Sequence, residues 1–294
     1  MTSRLCDHTL LINAIISLTR KEKGIPRPLF QLGYQLECIG LRFPNRHGDT
    51  VNPDLSIRGD VERNLLLVDC KSGGVKHAQA EIYARLTSED IVAANITTLE
   101  SRNLILDLPF AGMRKNEKKL LDAEDRNKYG LPIVVLDSLS MQKRGSNRFK
   151  NERLNELFDK GINFGGKIPT GFYPFSADDR NSYILGEIAP VLFEMHAKGL
   201  EFTPEDILTK AHPYHDYLDS GEKDALKGGI GRILSRIEQD PDFRFVISKQ
   251  KTKWMISPDI GIVYLRRGIQ ELIEKWSEEE ETPKLFEFFS REPS

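Results

Sequence analysis

The sequence predicts a mixed α/β fold, in which helices flank a mixed β-sheet, followed by a smaller C-terminal α+β domain. Apolar, β-rich runs at residues 64–71, 103–107 and 131–136 alternate with segments of helical periodicity. Nearer the C-terminus, two helical segments come before two short β-rich runs. Alternation followed by a separate helix-and-hairpin group indicates one layered domain and one small domain.

The N-terminal segment is predicted to be helical. Asp7 is a favourable N-cap, and apolar residues recur after it at helical spacing, so a helix is expected over residues 7–21. A Gly-Ile-Pro break follows, and a second helix is predicted from Pro28 to about Ile39, with Glu37 near its end. Residues 41–51 are rich in turn formers and are predicted to be a loop or a short strand.

The residues with the clearest chemical character lie between residues 52 and 83. Asp54 opens a short apolar segment, and residues 64–71 form a predicted strand. Because side chains alternate along a strand, Asp69 and Lys71 share one face. If the two segments pair as a hairpin, Asp54 approaches Asp69. Two carboxylates beside an ammonium group are costly to bury alone, and they suit a hard divalent cation and a phosphodiester.

This stretch resembles the PD-(D/E)XK nuclease superfamily. Its motif is matched by Pro53-Asp54 and by the segment 69–71, Asp-Cys-Lys. Gln79 and Tyr83 match the Gln-x-x-x-Tyr motif of the RecB-type branch, on a predicted helix after the strand. The resemblance covers roughly the first half of the chain. It implies a restriction-endonuclease-like mixed sheet flanked by helices, and it implies that Gln79 and Tyr83 support the site or touch the phosphate backbone.

The resemblance also implies a metal site. Asp54 and Asp69 would ligate Mg²⁺ or Mn²⁺, and Lys71 would position or deprotonate the attacking water. Glu37 is matched to the family's first-helix acid and is therefore a third candidate metal ligand. An ordinary surface hairpin with an exposed Asp69–Lys71 ion pair is the alternative.

Further elements complete the predicted N-terminal domain. They are a helix at 75–87, β-rich runs at 94–99 and 103–107, a helix at 117–126 and a strand at 131–136.

A basic stretch follows at residues 141–150. Lys143, Arg144 and Arg148 are candidate contacts to nucleic-acid phosphates, with a solvated linker as the alternative. A helix is predicted at residues 181–199.

The C-terminal segments resemble a winged helix. A helix is predicted at 203–211, a second at 222–239, and a hairpin from residues 243–248 and 253–256. The candidate phosphate contacts here are Lys227, Lys249, Lys251 and Lys253. The alternatives are a helical cap with a charged hairpin, or a winged helix that contacts protein.

The predicted domains are therefore a nuclease-like domain at 1–140, a basic linker with connecting helices at 141–200, and a winged-helix-like domain with an acidic and aromatic tail at 201–294. The net charge of −2 gives no global attraction for nucleic acid, so binding requires local patches. The longest N-terminal apolar run is too short to cross a membrane. The three cysteines are far apart, as expected for free thiols in a reducing cytoplasm.

Together these patterns predict a cytoplasmic, Mg²⁺- or Mn²⁺-dependent DNA nuclease of two domains. The resemblance points to restriction, phage defence or mobile-element processing. The expected partners are DNA and either a second copy of the chain or another protein, such as a separate ATPase or defence subunit. A membrane is not expected. The alternatives are a non-cutting DNA-binding or assembly subunit, and an RNA or single-strand nuclease.

Overall fold

A computed structural model describes residues 5–20, 27–97, 99, 103–243, 246–250 and 253–281. The chain divides into two compact units. We call residues 7–173 with 214–223 the sheet unit, and the described residues of 5–6, 174–213 and 224–281 the helical unit. Among the described residues, no helix has the length and hydrophobicity that crossing a membrane requires.

Ten α-helices are found in the described part of the chain. In chain order they are α1 Asp7–Leu18, α2 Pro28–Gln31, α3 His77–Arg85, α4 Ser88–Ala93, α5 Glu117–Asn127, α6 Glu152–Lys160, α7 Asn181–Ala197, α8 Pro204–Ala211, α9 Ser220–Gln239 and α10 Ile262–Glu281.

The strands of the same residues are mostly short. They are β1 Tyr34–Ile39, β2 Phe43–Pro44, β3 Thr50–Val51, β4 Leu55–Gly59, β5 Asn64–Lys71, β6 Ile105–Asp107, β7 Phe110–Met113, β8 Ile133–Asp137, β9 Ser140–Arg144, β10 Ile162–Asn163, β11 Val246–Gln250 and β12 Lys253–Ile256.

The sheet unit is built on one mixed sheet flanked by helices, which confirms the predicted α/β class. Its order is β1-β4-β5-β7-β8-β9-β10, and β6 also pairs with β5. β4 runs antiparallel to β5, whereas β7 runs parallel to both β5 and β8. The apolar strands β5 and β8 lie inside this order because they are buried on both faces.

Helices cover the sheet around β5. α1 contacts β5 and β7, and α5 contacts β7 and β8. Ala80 and Tyr83 of α3 share a buried cluster with Leu65, Leu67 and Phe110. Because side chains alternate along a strand, Leu65 and Leu67 lie on the same face of β5 as Asp69 and Lys71. The sheet face that carries these charged groups is therefore the face that α3 covers.

A buried polar network joins β1, β5 and β6. The hydroxyl of Tyr34 donates to Asn64 Oδ1 at 2.7 Å, and Asn64 Nδ2 donates to Asp107 Oδ2 at 2.8 Å. Asp107 also accepts hydrogen bonds from the main-chain N–H groups of Lys150 at 2.6 Å and Asn151 at 3.3 Å. The network fixes residues 150 and 151 to the sheet.

The helix predicted over residues 28–39 is wrong. α2 is a single turn, and Gly33 follows it with φ of 83°, the left-handed conformation typical of a residue just past a helix end. Tyr34–Ile39 then forms β1 and pairs with β4. Glu37 therefore lies on a strand instead of on a helix.

The strand predicted over residues 94–99 is also wrong for the described residues, which lie in turns and irregular segments. A short helix, α4, comes just before them. It begins with a capping box. The Asp90 carboxylate accepts hydrogen bonds from the main-chain N–H and the hydroxyl of Thr87, and the Thr87 side chain accepts from the main-chain N–H of Asp90.

The boundary predicted at residue 140 lies inside the sheet. β9 pairs antiparallel with β8, placing Met141 opposite Leu136, and β10 pairs with β9. Residues 141–173 thus belong to the sheet unit, and residues 174–200 belong to the helical unit. The basic stretch is part of a strand and its following turn.

In the helical unit, the predicted helices at 181–199, 203–211 and 222–239 are confirmed as α7, α8 and α9. β11 and β12 form the predicted hairpin, with Val246 opposite Ile256. α10 was not predicted from the sequence, and it packs against α7. The predicted aromatic tail lies outside the described residues.

Candidate functional site

The pairing of β4 with β5 brings Asp54 to Asp69. Leu55 lies opposite Val68, so the residue before β4 meets the end of β5. Asp54 Oδ2 accepts a hydrogen bond from the main-chain N–H of Cys70 at 2.5 Å. Asp69 is buried, with 3% of its surface exposed. The structure therefore joins two carboxylates that are fifteen positions apart in the sequence.

Lys71 is held beside these carboxylates. Its Nζ lies 2.7 Å from Asp69 Oδ2 and donates to Gln79 Oε1 at 2.7 Å. Gln79 in turn donates through Nε2 to the Tyr83 hydroxyl at 3.2 Å. Nζ also lies 5.7 Å from the ring centroid of Phe110. The predicted residues of β5 and α3 thus form one hydrogen-bonded chain.

His8 belongs to this site and was missed by the sequence analysis. Its Nε2 lies 3.0 Å from Asp54 Oδ1. His8 is the second residue of α1, and its approach to Asp54 depends on the packing of that helix against β5 and β7. No local sequence pattern marks a residue placed in this way.

Burial and charge repulsion shift the protonation of Asp69. Removal from water, together with the nearby Asp54 carboxylate, raises the pKa of Asp69 from 3.8 to about 7, although Lys71 acts in the opposite direction. Burial also raises the pKa of Tyr83, so its hydroxyl stays protonated. When both carboxylates are ionised, the site carries one more negative charge than Lys71 compensates, and burial makes that state costly.

This shift predicts a pH dependence of stability in the absence of metal. Between pH 3.8 and about 7 the unfolded chain ionises Asp69 while the folded chain keeps it protonated. The free energy of unfolding should therefore fall as pH rises across this window, with this group contributing up to about 1.4 kcal/mol per pH unit. Urea unfolding of the wild type and of Asp69→Asn in EDTA measures it. A slope that is equal in the two proteins would contradict the assignment.

The donor set fits a hard divalent cation. Two adjacent carboxylates with excess negative charge are the oxygen ligands that Mg²⁺ prefers, and Mg²⁺ is commonly held by one or two carboxylates with water and substrate phosphate filling the other positions. Within the described residues, no group of three or more His, Cys, Asp or Glu side chains is arranged to hold a metal. Because the β4–β5 pairing brings them together, Asp54 and Asp69 are the side chains that would hold such a cation.

Glu37 does not join them. Its carboxylate accepts from the Thr97 hydroxyl at 3.1 Å and from Ser56 at 3.4 Å, and it lies 3.6 Å from Arg58 Nη1. These partners lie on β4 and in the segment after α4. The structure places the predicted third ligand in a polar cluster of its own.

The predicted phosphate contacts of the sheet unit are engaged with acids of the same unit. Lys143 Nζ lies 3.0 Å from Asp159 and its side chain is only 7% exposed, while Arg144 lies 3.6 Å from Glu117. Arg148 pairs with Glu152, the first residue of α6. These pairs reduce the positive charge that this stretch presents to a ligand.

The predicted contacts of the helical unit differ from one another. Lys227 Nζ lies 2.8 Å from Asp224 and 3.2 Å from Glu205. Lys253 is exposed at the start of β12. The side chain of Lys249 and all of Lys251 lie outside the described residues.

Comparison with known proteins places the chain in a family. The MJECL32 domain matches residues 7–173, which is also the main segment of the sheet unit. The chain belongs to the MJECL32 domain family. Asp54, Asp69, Lys71 and His8 all lie within its MJECL32 domain.

The MJECL32 domain is shared with a protein of the same name. The uncharacterized protein MJECL32 of Methanocaldococcus jannaschii is 23% identical over 291 residues, which cover 87% of this chain and 62% of the relative. This chain therefore spans less than two thirds of that protein's length. A cryo-EM structure of a DrdV–DNA complex aligns with 72% of this chain and 16% of its own chain, at 12% identity and a TM-score of 0.15. This low likeness carries no inference for the MJECL32 domain.

Proposed function

We propose that this protein is a metal-dependent DNA nuclease of the PD-(D/E)XK type. One observation carries the proposal: Asp54, Asp69 and Lys71 meet at one end of the β4–β5 hairpin, with Gln79 and Tyr83 bonded behind the lysine. The order of these residues and their placement on a hairpin and the following helix support a restriction-endonuclease-like arrangement of the sheet unit.

Each side chain has a defined task in this proposal. Asp54 and Asp69 hold Mg²⁺ or Mn²⁺, and the cation, when bound, supplies electrostatic stabilisation of charge developing on the phosphate oxygens. Lys71, as an ammonium that pairs with Asp69 and donates to Gln79, would position the attacking water by donating a hydrogen bond to it. Gln79 fixes the Lys71 ammonium by accepting its hydrogen bond, and Tyr83 fixes Gln79.

The helical unit is proposed to be a winged-helix-like DNA-binding module. Phe202 and Trp254 exchange two main-chain hydrogen bonds of 2.8 Å, so a β-bridge joins the segment before α8 to the hairpin after α9. Bridge, two helices and hairpin follow in the order that a winged helix has. Lys253, with Lys249 and Lys251, would contact phosphates from the hairpin.

The nuclease proposal is tested by cleavage of linear, circular and single-stranded DNA with Mn²⁺. The wild type is compared with Asp69→Ala and Lys71→Ala, and circular dichroism checks folding. Both variants should lose cleavage while remaining folded. Cutting of circular DNA identifies an endonuclease, and competition by RNA separates the RNA-nuclease alternative.

Heat stability with metal separates the remaining cases. A ligand of the native state must raise the melting temperature, so Mn²⁺ should stabilise the wild type. Stabilisation that depends on Asp54 and Asp69 without any cleavage supports a site that needs a partner, such as an ATPase or defence subunit. If Mn²⁺ neither raises the melting temperature nor supports cleavage, the hairpin is structural and the proposal fails.

His8 gives a further prediction. Because it fixes Asp54, His8→Ala should weaken Mn²⁺ binding by about 10- to 100-fold, the usual effect of removing a residue that orients a metal ligand. Isothermal titration with Mn²⁺ measures this. The exposed His47 provides a matched control, since His47→Ala should bind as the wild type does. An equal loss of Mn²⁺ affinity in both variants would show that His8 does not support the metal site.

A non-cutting DNA-binding or assembly subunit is the second candidate. The observation in its favour is that Asp69 pairs with Lys71 at 2.7 Å and Asp54 with His8 at 3.0 Å, so both carboxylates have partners without a metal. DNA binding without Mn²⁺-dependent stabilisation would decide for it.

A further inference from the structure

A second concave site lies within the sheet unit. It is a pocket of about 470 Å³, a volume within the range of small-molecule sites. Four of the lining side chains are half-buried aromatic residues, and the remainder are Thr19, Arg20, Gln35 and Leu36. The side chains that matter here are Phe30, Phe172, Tyr214, Tyr217, Arg20 and Gln35.

Arg20 gives this pocket a positive wall. Its Cζ lies 4.2 Å from the ring centroid of Tyr214 and 5.1 Å from that of Tyr217, so the cation rests against both rings. Its Nε and Nη2 atoms are buried and have no hydrogen-bond partner among the described residues. Buried donors without acceptors are costly, and an anionic ligand would satisfy them.

The aromatic rings are inclined to one another. Phe172 and Tyr214 have centroids 5.9 Å apart at an interplanar angle of 63°, and Tyr214 and Tyr217 have centroids 5.5 Å apart at 58°. In this arrangement the edge of one ring meets its neighbour, and the rings still line the pocket, so they offer aromatic surface to a planar ligand. Exposed Gln35 on β1 adds an amide that can donate to or accept from the edge of such a ligand.

The pocket is separate from the carboxylate site. His8, beside Asp54, lies at the start of α1, and Arg20 follows its end. The helix has twelve residues and is therefore about 18 Å long. A single nucleotide in the pocket would therefore not contact Asp54, and the pocket is a second site.

We propose that this pocket binds a nucleotide. The base packs against the aromatic side chains that line the pocket, and a phosphate lies against the guanidinium of Arg20, whose planar fork suits phosphate oxygens. The nucleotide is either a free mononucleotide or an unpaired nucleotide of a strand. The proposal goes beyond nuclease activity, because it concerns binding and requires neither metal nor cleavage.

The test is equilibrium binding of the full chain without divalent metal. A fluorescent dAMP derivative is the probe, with unlabelled dAMP, deoxyadenosine, inorganic phosphate and an unpaired oligo-dA strand as competitors. The variants are Arg20→Gln and Tyr217→Leu, with Tyr217→Phe as the ring-preserving partner. Tyr264→Leu is the matched control, because Tyr264 is 76% exposed and lies on α10 in the other unit.

We expect dAMP to compete, and deoxyadenosine and phosphate alone to compete at least about tenfold less well, since each supplies only one half of the recognition. Arg20→Gln and Tyr217→Leu should each weaken binding about tenfold or more, while Tyr217→Phe and Tyr264→Leu bind normally. Tighter competition by oligo-dA identifies an unpaired strand as the source, and competition by dAMP alone identifies a free nucleotide. Absence of dAMP binding, or equal binding by Arg20→Gln, Tyr217→Leu and wild type, overturns the proposal.

Discussion

Asp69→Asn should abolish Mn²⁺-dependent cleavage and at the same time raise the stability of the metal-free protein above pH 7. Cleavage should fall at least about 100-fold, because the variant loses a charged ligand for the cation that stabilises developing charge. Stability should rise because the raised pKa of Asp69 means that burial and the Asp54 charge outweigh the attraction of Lys71. Asparagine occupies the same volume without a charge.

Asp69→Asn should also reduce the stabilisation of the folded protein by Mn²⁺. At a Mn²⁺ concentration of 100 times Kd, the wild type should gain about 2.7 kcal/mol, and Asp69→Asn should gain little. Differential scanning calorimetry with Mn²⁺ and with EDTA measures both effects. Asp122→Asn is the matched control, because Asp122 is exposed on α5 and should leave cleavage and melting unchanged. If Asp69→Asn cuts like the wild type, Asp69 holds no catalytic metal.

Asp107→Ala should destabilise the folded chain by about 3 kcal/mol or more, because it leaves several buried donors without an acceptor. The donors are Asn64 Nδ2 and the main-chain N–H groups of Lys150 and Asn151. Burial raises the pKa of Asp107, and the hydrogen bonds from Lys150 and Asn64 oppose this shift. The Asp107 carboxyl group therefore acts here as a hydrogen-bond acceptor for these three donors.

Equilibrium urea unfolding measures this loss. Asp107→Asn keeps one acceptor oxygen and the volume of the side chain, so it should lose less than the alanine variant, about 1–2 kcal/mol. Asp125→Ala on the exposed side of α5 should be nearly neutral. A cost for Asp107→Ala no larger than that for Asp125→Ala would show that the network does not anchor residues 150 and 151.

Several parts of the fold were predictable because their signals are local. The alternation of residues 64–71 placed Asp69 and Lys71 on one face, and the four-residue spacing placed Gln79 and Tyr83 on one face of α3. Two further local signals in the sequence mark the ends of helices. Gly33 marks the end of α2, and Thr87 with Asp90 marks the start of α4.

Other features had no local signal. Residues 34–39 have apolar spacing that a helix also satisfies, and they form a strand because β4 offers hydrogen-bond partners. Lys143 was predicted to be a phosphate contact, but its position on β9 places it beside Asp159. Pairing between distant strands decides both the strand at residues 34–39 and the position of Lys143. The free energy of this pairing exceeds helix and strand propensities, which are about a few tenths of a kcal/mol per residue.

The sequence by itself determined the α/β class, the strand that carries Asp69 and Lys71, and the helix that follows it, because side-chain periodicity depends only on near neighbours. Only the tertiary structure decided that His8 reaches Asp54, that the pKa of Asp69 rises, and that Arg20 meets Tyr214. Each of these depends on burial and on contacts between segments far apart in the chain. Those quantities exist only once the segments have packed.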